Sequence, residues 1–211
     1  ALDYNEVEDV TPLAELSELS HLSVAANPIT NMSPLVHLTK LNYLDISQTG
    51  ASSIGFLSSL PNLTILLASE CGITDILPLT DLQDLSYIDL SYNEIATLDP
   101  LYGMQLTALD VSHNKLDTLA PLSAVDLETE GLFFLNAAGN NIDFTGDTQD
   151  RVILEDLKSV YGDVSIVDED QVHGFGLVRL VWSGSEEPGD WPEGKPQSYI
   201  VTGLGAQQEG P

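Results

Sequence analysis

The residues of this chain that could do chemistry are four histidines, 33 carboxylates and one cysteine. His21, His37, His113 and His173 are scattered, and no pair has the spacing that lets two imidazoles share a metal ion. No nucleophile elbow of the G-x-S-x-G kind occurs, and no glycine-rich phosphate loop. Carboxylates are so frequent that acidic pairs arise whatever the function, so pairing alone says nothing about acid–base catalysis. Two acidic groups have the hard oxygen donors that suit calcium: Asp143, Asp147 and Asp150, and Asp168, Glu169 and Asp170. Neither lies in the glycine-centred loop with a closing glutamate that calcium ligation uses. Helix capping is the simpler reading of the first group, and a solvated turn of the second. The expectation is no catalytic residue, no cofactor and no metal site. Cys71, the only cysteine, excludes an internal disulfide.

The charge balance narrows the partners. Six basic residues stand against the 33 acids, a formal net charge of -27. Such a chain repels phosphate backbones and anionic headgroups, which argues against nucleic acid and membrane surfaces. No apolar run approaches the roughly 20 residues of a membrane helix, so no membrane insertion is expected. The plain reading of this charge is solubility, as in salty surroundings, and the sharper one is a protein partner with a basic surface or bound calcium.

Stable placement of these side chains depends on a repeat. Asn27, Thr49, Cys71, Asn93, Asn114 and Asn140 occupy one recurring position, with a truncated first copy at Asn5. The spacings from Asn5 onward are 22, 22, 22, 22, 21 and 26 residues. Apolar residues fall five and three before this anchor, as in Leu22 and Val24, Leu44 and Ile46, and Ile88 and Leu90. That alternation makes a short strand with one buried face. The anchor side chain must turn the chain while staying inside. Asn can bond nearby backbone groups, and Thr49 and Cys71 offer smaller polar atoms for the same place. Beyond it, apolar residues recur every third position, from Ile73 through Ile76, Leu79 and Leu82 to Leu85, a period that suits a tight helical return. Pro12, Pro34, Pro78, Pro100 and Pro121 mark its start, and Thr11, Ser33 and Asp99 read as caps directly before three of them. One coil cannot bury its own edge, whereas stacked coils share a continuous core.

The phrases NEVEDVTPL, NPITNMSPL, CGITDILPL and NEIATLDPL resemble the 22-residue repeats of bacterial internalin-like leucine-rich-repeat proteins. The resemblance covers about residues 1–142. It implies an α/β fold: a right-handed leucine-rich-repeat solenoid, a curved arc with a parallel concave β-sheet and short helical turns on its convex side. Residues 143–170 resemble the degenerate terminal repeat of such proteins, with a longer helix capped by Asp147 or Thr148 and a last strand at Val164 and Ile166. Residues 171–211 break the period. GLVRLVW at 176–182 and SYIV at 198–201 read as strands of a hairpin that caps the open end, with a linker as the rival reading. The family's helical N-terminal cap is missing, since the chain opens inside a strand, and an insertion falls near Asp126 to Gly131.

The family binds protein through its concave sheet, and the period says which side chains that sheet turns outward. Six before the anchor stand His21, Tyr43, Ile65, Tyr87, Ala108 and Phe134. Four before stand Ser23, Asp45, Leu67, Asp89, Asp110 and Asn136. Two before runs a ladder of small residues, among them Ser47, Ser69, Ser91 and Ser112, read as spacers that let coils stack closely. Tyr43, Ile65, Leu67 and Tyr87 form an apolar patch flanked by Asp45, Asp89 and Asp110, with Phe134 at its far end. Aromatics amid acids suit a protein hot spot with a basic rim on the partner. The expected function is a non-catalytic protein-binding module, adhesin-like, secreted or on a bacterial cell surface. The alternatives are a structural arm of a larger chain and an intracellular regulatory subunit. Intracellular phosphatase-regulatory proteins share the repeat class, which leaves the cytoplasm open. Cross-strand ring pairs that merely stabilise the sheet are the competing account of the tyrosines.

Overall fold

The computed structural model of the chain describes residues 1–124, 134–143, 148–153, 164–166 and 179–182. Six three-residue strands follow one another along the repeats: β1 (His21–Ser23), β2 (Tyr43–Asp45), β3 (Ile65–Leu67), β4 (Tyr87–Asp89), β5 (Ala108–Asp110) and β6 (Phe134–Asn136). Each pairs in parallel with the next, in a register that keeps equivalent repeat positions side by side. Register holds even across the longest spacing, where Ala108 faces Phe134. The inserted residues near Asp126 to Gly131 lie outside the described part. The expected fold, a leucine-rich-repeat solenoid with a parallel concave sheet, is the observed one.

The alternation holds on β1 to β4, whereas β5 is buried throughout, with the outward-column residues Ala108 and Asp110 at 8 % and 9 % exposure. Val24, Leu44, Ile46, Leu66, Ile88, Leu90, Leu109, Val111 and Leu135 are fully buried, and Leu22 nearly so. Each such burial is worth roughly 1.5–3 kcal/mol. The anchor column closes the core from the polar side. The Asn27 amide donates to the Leu2, Val24 and Ala25 carbonyls, and its oxygen accepts from the Val7 N–H. Thr49 Oγ1 donates to the Ile46 carbonyl at 2.7 Å, and Cys71 Sγ lies 3.1 Å from the same oxygen. Burial pushes the Cys71 thiol above its ordinary range, so this sulfur stays a neutral, inert member of the column.

The convex side consists of 3₁₀ turns at Thr11–Leu13, Ser33–His37, Gly55–Ser59, Leu77–Leu79, Asp99–Leu101 and Ala120–Ala124. Their capping differs from the sequence expectation. Thr11, Ser33 and Asp99 are the first turn residues, and Val10, Met32 and Leu98 before them make no side-chain cap. The cap comes from two residues before the turn. Asp9, Asn31 and Asp75 accept from the Thr11, Ser33 and Leu77 N–H groups at 2.8–3.0 Å. Thr97 and Thr118 hydroxyls take the Asp99 and Ala120 N–H groups in the same way. The reason is spatial: the position next to the turn must feed an apolar side chain into the core, so the polar acceptor moves one place outward.

The chain end departs further from expectation. β7 (Val164–Ile166) does not stack on β6 as another parallel strand. A strand β8 (Arg179–Trp182) lies between them, antiparallel to both, giving the order β1-β2-β3-β4-β5-β6-β8-β7. An antiparallel partner satisfies the N–H and C=O groups of an open edge as well as a parallel one does. SYIV at 198–201, the other half of the expected hairpin, and the acidic group 168–170 lie outside the described residues. Thr148 does cap the helical turn that follows it, accepting from the Arg151 N–H. Asp150 does not serve as a helix-dipole partner alone. Its buried carboxylate accepts from Thr118 Oγ1 at 2.9 Å and from the Leu119 N–H at 2.6 Å, tying this turn to the previous coil.

One feature had no sequence signal. The residue just before each anchor is left-handed: Tyr4, Ala26, Gln48, Glu70, Tyr92 and His113 have φ of 53–56°, and Gly139 has φ 67°. Six non-glycine residues at such a φ cost roughly 1 kcal/mol or more each. Gly139 is the position where glycine is needed. The His113 ring stacks on Tyr92 at 4.1 Å, and a Cβ at Gly139 would meet His113 Nδ1 at 2.5 Å. Gly139→Ala is expected to lose about 1–2 kcal/mol, from backbone strain and displacement of the imidazole. Thermal unfolding measures it, and an unchanged midpoint would refute the packing argument.

Candidate functional site

The six strands bring the outward columns together in the predicted order. Tyr43, Ile65, Leu67, Tyr87, Asp45 and Asp89 are all partly exposed on one face. The registers Tyr43–Ile65–Tyr87 and Asp45–Leu67–Asp89 make a grid whose outer strands, β2 and β4, carry the same Tyr-x-Asp pattern. Adjacent strands lie about 4.8 Å apart, so the two tyrosine positions are about 10 Å apart across Ile65. His21 stacks against Tyr43 with ring centroids 6.1 Å apart, extending the aromatic row to β1. Phe134 stands at the end of that row on β6, in register with Ala108. Asp110, expected to face solvent, is buried at 9 % exposure. Its neighbours explain this: Asn136 covers it from β6, donating to Oδ2 at 3.0 Å, and Ser112 Oγ donates to Oδ1 at 2.6 Å.

The serine ladder is not a passive spacer. Ser91 donates to Asp89 Oδ1 through both its N–H, at 2.9 Å, and its hydroxyl, at 2.7 Å. Ser112 N–H repeats the first of these bonds on Asp110, and Ser47 N–H on Asp45. At β1, Ser23 Oγ donates to Asp3, whose carboxylate also accepts from the Ala25 N–H. Each Asp-x-Ser unit is a small turn that fixes its carboxylate at the strand end. The unit is visible in the sequence as DIS, DLS and DVS at 45–47, 89–91 and 110–112. It is legible once the serine is read as a donor rather than as a small residue.

These carboxylates are not neutralised by cations of the six strands. Among the described residues, lysines form ion pairs only away from the sheet face, Lys40 with Glu18 and Lys115 with Glu94. No Lys or Arg occupies the three outward columns of β1 to β6. Beyond them, Arg179 of β8 stands opposite Asn136 in the register. Burial pushes Asp45 above the ordinary carboxylate range, with Asp3 adding repulsion. Asp89 is pushed up to about 6, first by burial and then by the charges of Asp110 and Asp45. Among the described residues no three His, Cys, Asp or Glu side chains gather to hold a metal ion. No helix of the described residues is long and apolar enough to cross a membrane.

Comparison with known proteins agrees with this architecture. No family model and no curated protein matches the chain. Solved structures do. An internalin from Listeria monocytogenes is 27% identical with a TM-score of 0.67, over 72% of this chain and 43% of that one. Internalin C2 from the same species is 28% identical with a TM-score of 0.61, over 66% of this chain and 60% of the other. A leucine-rich-repeat protein from Leptospira interrogans, 21% identical with a TM-score of 0.58 over 75% of this chain and 40% of its own, shares the fold. The chain thus spans between two fifths and three fifths of the length of these relatives. With its 22-residue period, its anchor ladder and its parallel sheet, the chain is a bacterial internalin-like leucine-rich-repeat protein.

Proposed function

We propose that this solenoid is a non-catalytic protein-binding module, whose concave sheet docks a partner with a basic surface in the manner of a secreted or cell-surface adhesin. One observation carries the reading: Tyr43, Ile65, Leu67 and Tyr87 lie contiguous and partly exposed beside Asp45, Asp89 and Asp110, with no Lys or Arg in those columns. The rings and aliphatic side chains supply area that binding can desolvate, and the carboxylates select the sign of the partner's rim. The internalin relatives support the bacterial and extracellular part of the reading.

The competing account, in which the rings only brace the sheet, draws on the stacking of His21 on Tyr43. The two accounts separate on one measurement. With a partner recovered by pull-down, Tyr43→Ala and Tyr87→Ala are expected each to weaken affinity by roughly tenfold to a hundredfold, with the fold preserved by circular dichroism. Unchanged affinity with lowered stability assigns the rings to bracing and removes them from the site.

A further inference from the structure

The outward side chains of β2, β3 and β4 make a stripe that runs across the strands rather than along them. One row reads Tyr43, Ile65, Tyr87 and the next Asp45, Leu67, Asp89, in direct register. All six are partly exposed. Polar rows bound the stripe on both sides. At the strand starts the Thr64 and Thr107 hydroxyls already donate to the Asn42 and Ser86 carbonyls. At the strand ends the Ser47 and Ser91 N–H groups are committed to Asp45 and Asp89. The stripe is thus two outward positions wide, with about 7 Å between its rows, and lengthens only from strand to strand.

Its chemistry alternates along that direction. The middle strand offers two aliphatic side chains, Ile65 and Leu67, and each flanking strand a tyrosine and a carboxylate. Asp45 and Asp89 stand two strand spacings apart, about 9.6 Å, with Leu67 midway. No Lys or Arg occupies the outward columns of β1 to β6, in a chain of net charge -27. A complementary partner face reads basic, apolar, basic at those intervals.

Backbone geometry decides which kind of segment presents such a face. An α-helix brings i, i+3 or i+4, and i+7 to one side, at rises of about 4.5–6 Å and 10.5 Å. An extended strand repeats on one side at about 6.6 and 13 Å, which matches neither interval. A polyproline helix returns after about 9.3 Å and so spans the two carboxylates. Its three-fold turn, however, places nothing on the same side midway, over Leu67. Two rows about 7 Å apart also fit beneath one helix of about 10–12 Å diameter.

We infer that this stripe seats one α-helix of a protein partner, lying across β2, β3 and β4, with Lys or Arg at i and i+7 on Asp45 and Asp89 and an aliphatic side chain at i+3 or i+4 on Ile65 and Leu67. The inference rests on the concave face being the docking surface, and it adds the partner's secondary structure and direction.

The experiment titrates the whole chain with synthetic peptides at pH 7.5, where Asp89 is charged. The matched probe is an alanine-based helix with Lys at i and i+7 and Leu at i+4. A control helix of equal composition carries the Leu at i+2, on its opposite face. A third probe sets Lys-x-x-Lys in a polyproline segment. Backbone amide shifts locate binding and give the affinity. The expected result is shifts centred on β2 to β4, with the matched helix binding about tenfold more tightly than either other probe. In Leu67→Asn that preference is expected to vanish; asparagine suits the place, since Asn136 holds it in β6. A preference that survives Leu67→Asn overturns the seat on the middle strand. Equal affinity of the two helices, or tighter polyproline binding, with shifts still on β2 to β4, overturns the helix and leaves the docking surface standing. Shifts that avoid the outward columns, or none at all, overturn the docking surface and the helix with it.

Discussion

Asn93→Ala is expected to cost about 3–5 kcal/mol of unfolding free energy, a large share of the 5–15 kcal/mol that holds a typical domain together. The Asn93 amide donates to the Ala68, Leu90 and Ser91 carbonyls, and its oxygen accepts from the Cys71 and Ile73 N–H groups. Alanine strands all five partners where water has little access, since Asn93 itself is only 7 % exposed. A buried polar group left without a partner costs about 1–3 kcal/mol, and partial relaxation keeps the total below the sum. For a domain of this size the loss corresponds to a fall in Tm of roughly 10 °C. Asn93→Thr is expected to be milder, because Thr49 fills the equivalent place with a bond to the Ile46 carbonyl and a longer one with Cys71 Sγ. A loss below about 1 kcal/mol for the alanine variant would show that the ladder decorates the core rather than closing it.

Asp89→Asn is expected to act in the opposite direction, raising stability at pH 8 by about 1–3 kcal/mol. The carboxyl is displaced from 3.8 to about 6 in the folded chain. A shift of that size is about 3 kcal/mol between the two protonation states, an upper bound for a partly exposed group. The folded state binds the proton more tightly than the unfolded one. Its favourable contribution is therefore complete below about pH 4 and is lost as pH rises through 6. Wild type minus variant should show this slope between pH 4 and 6.5, measured by urea unfolding at fixed salt. Asparagine fits the site, because Asn136 at the same position of β6 also accepts the N–H two residues on, from Ala138. A variant less stable than the wild type at pH 8 would contradict the electrostatic account.

How far the structure can be read from the residues differs by feature, for physical reasons. The core columns and the anchor ladder are legible because a 22-residue period forces the same residue types into the same place. The turn caps form the column Asp9, Asn31, Asp75, Thr97 and Thr118, three residues ahead of each proline, whereas the residue directly beside the proline makes no cap. The left-handed column is hidden, since Tyr, Ala, Gln, Glu and His carry no mark of positive φ. The place of β8 is hidden too: Arg179–Trp182 reads as a strand, but a local pattern cannot choose its edge or its direction. The candidate surface was legible as columns. The burial of Asp110 was not, because it depends on what Ser112 and Asn136 do with their donors.

The anchor side chains also determine how the solenoid comes apart. Asn93 and Asn114 each hold carbonyls of their own coil and of the coil before, so no coil has a complete set of polar partners by itself. The arrangement is a one-dimensional chain of coupled units, in which nearest neighbours supply most of the stability and isolated units supply little. Opening is then easiest at an end and spreads inward one coil at a time, while a break in the middle must undo two sets of bonds at once. Cys71 still reaches the Ile46 carbonyl of the coil before, but the Thr49 hydroxyl bonds within its own coil and to Cys71, which makes the step behind Thr49 the weakest coupling in that row. Any parting of the array into two cooperative blocks belongs at the boundary between the first and second strands, which no anchor bond from Thr49 crosses.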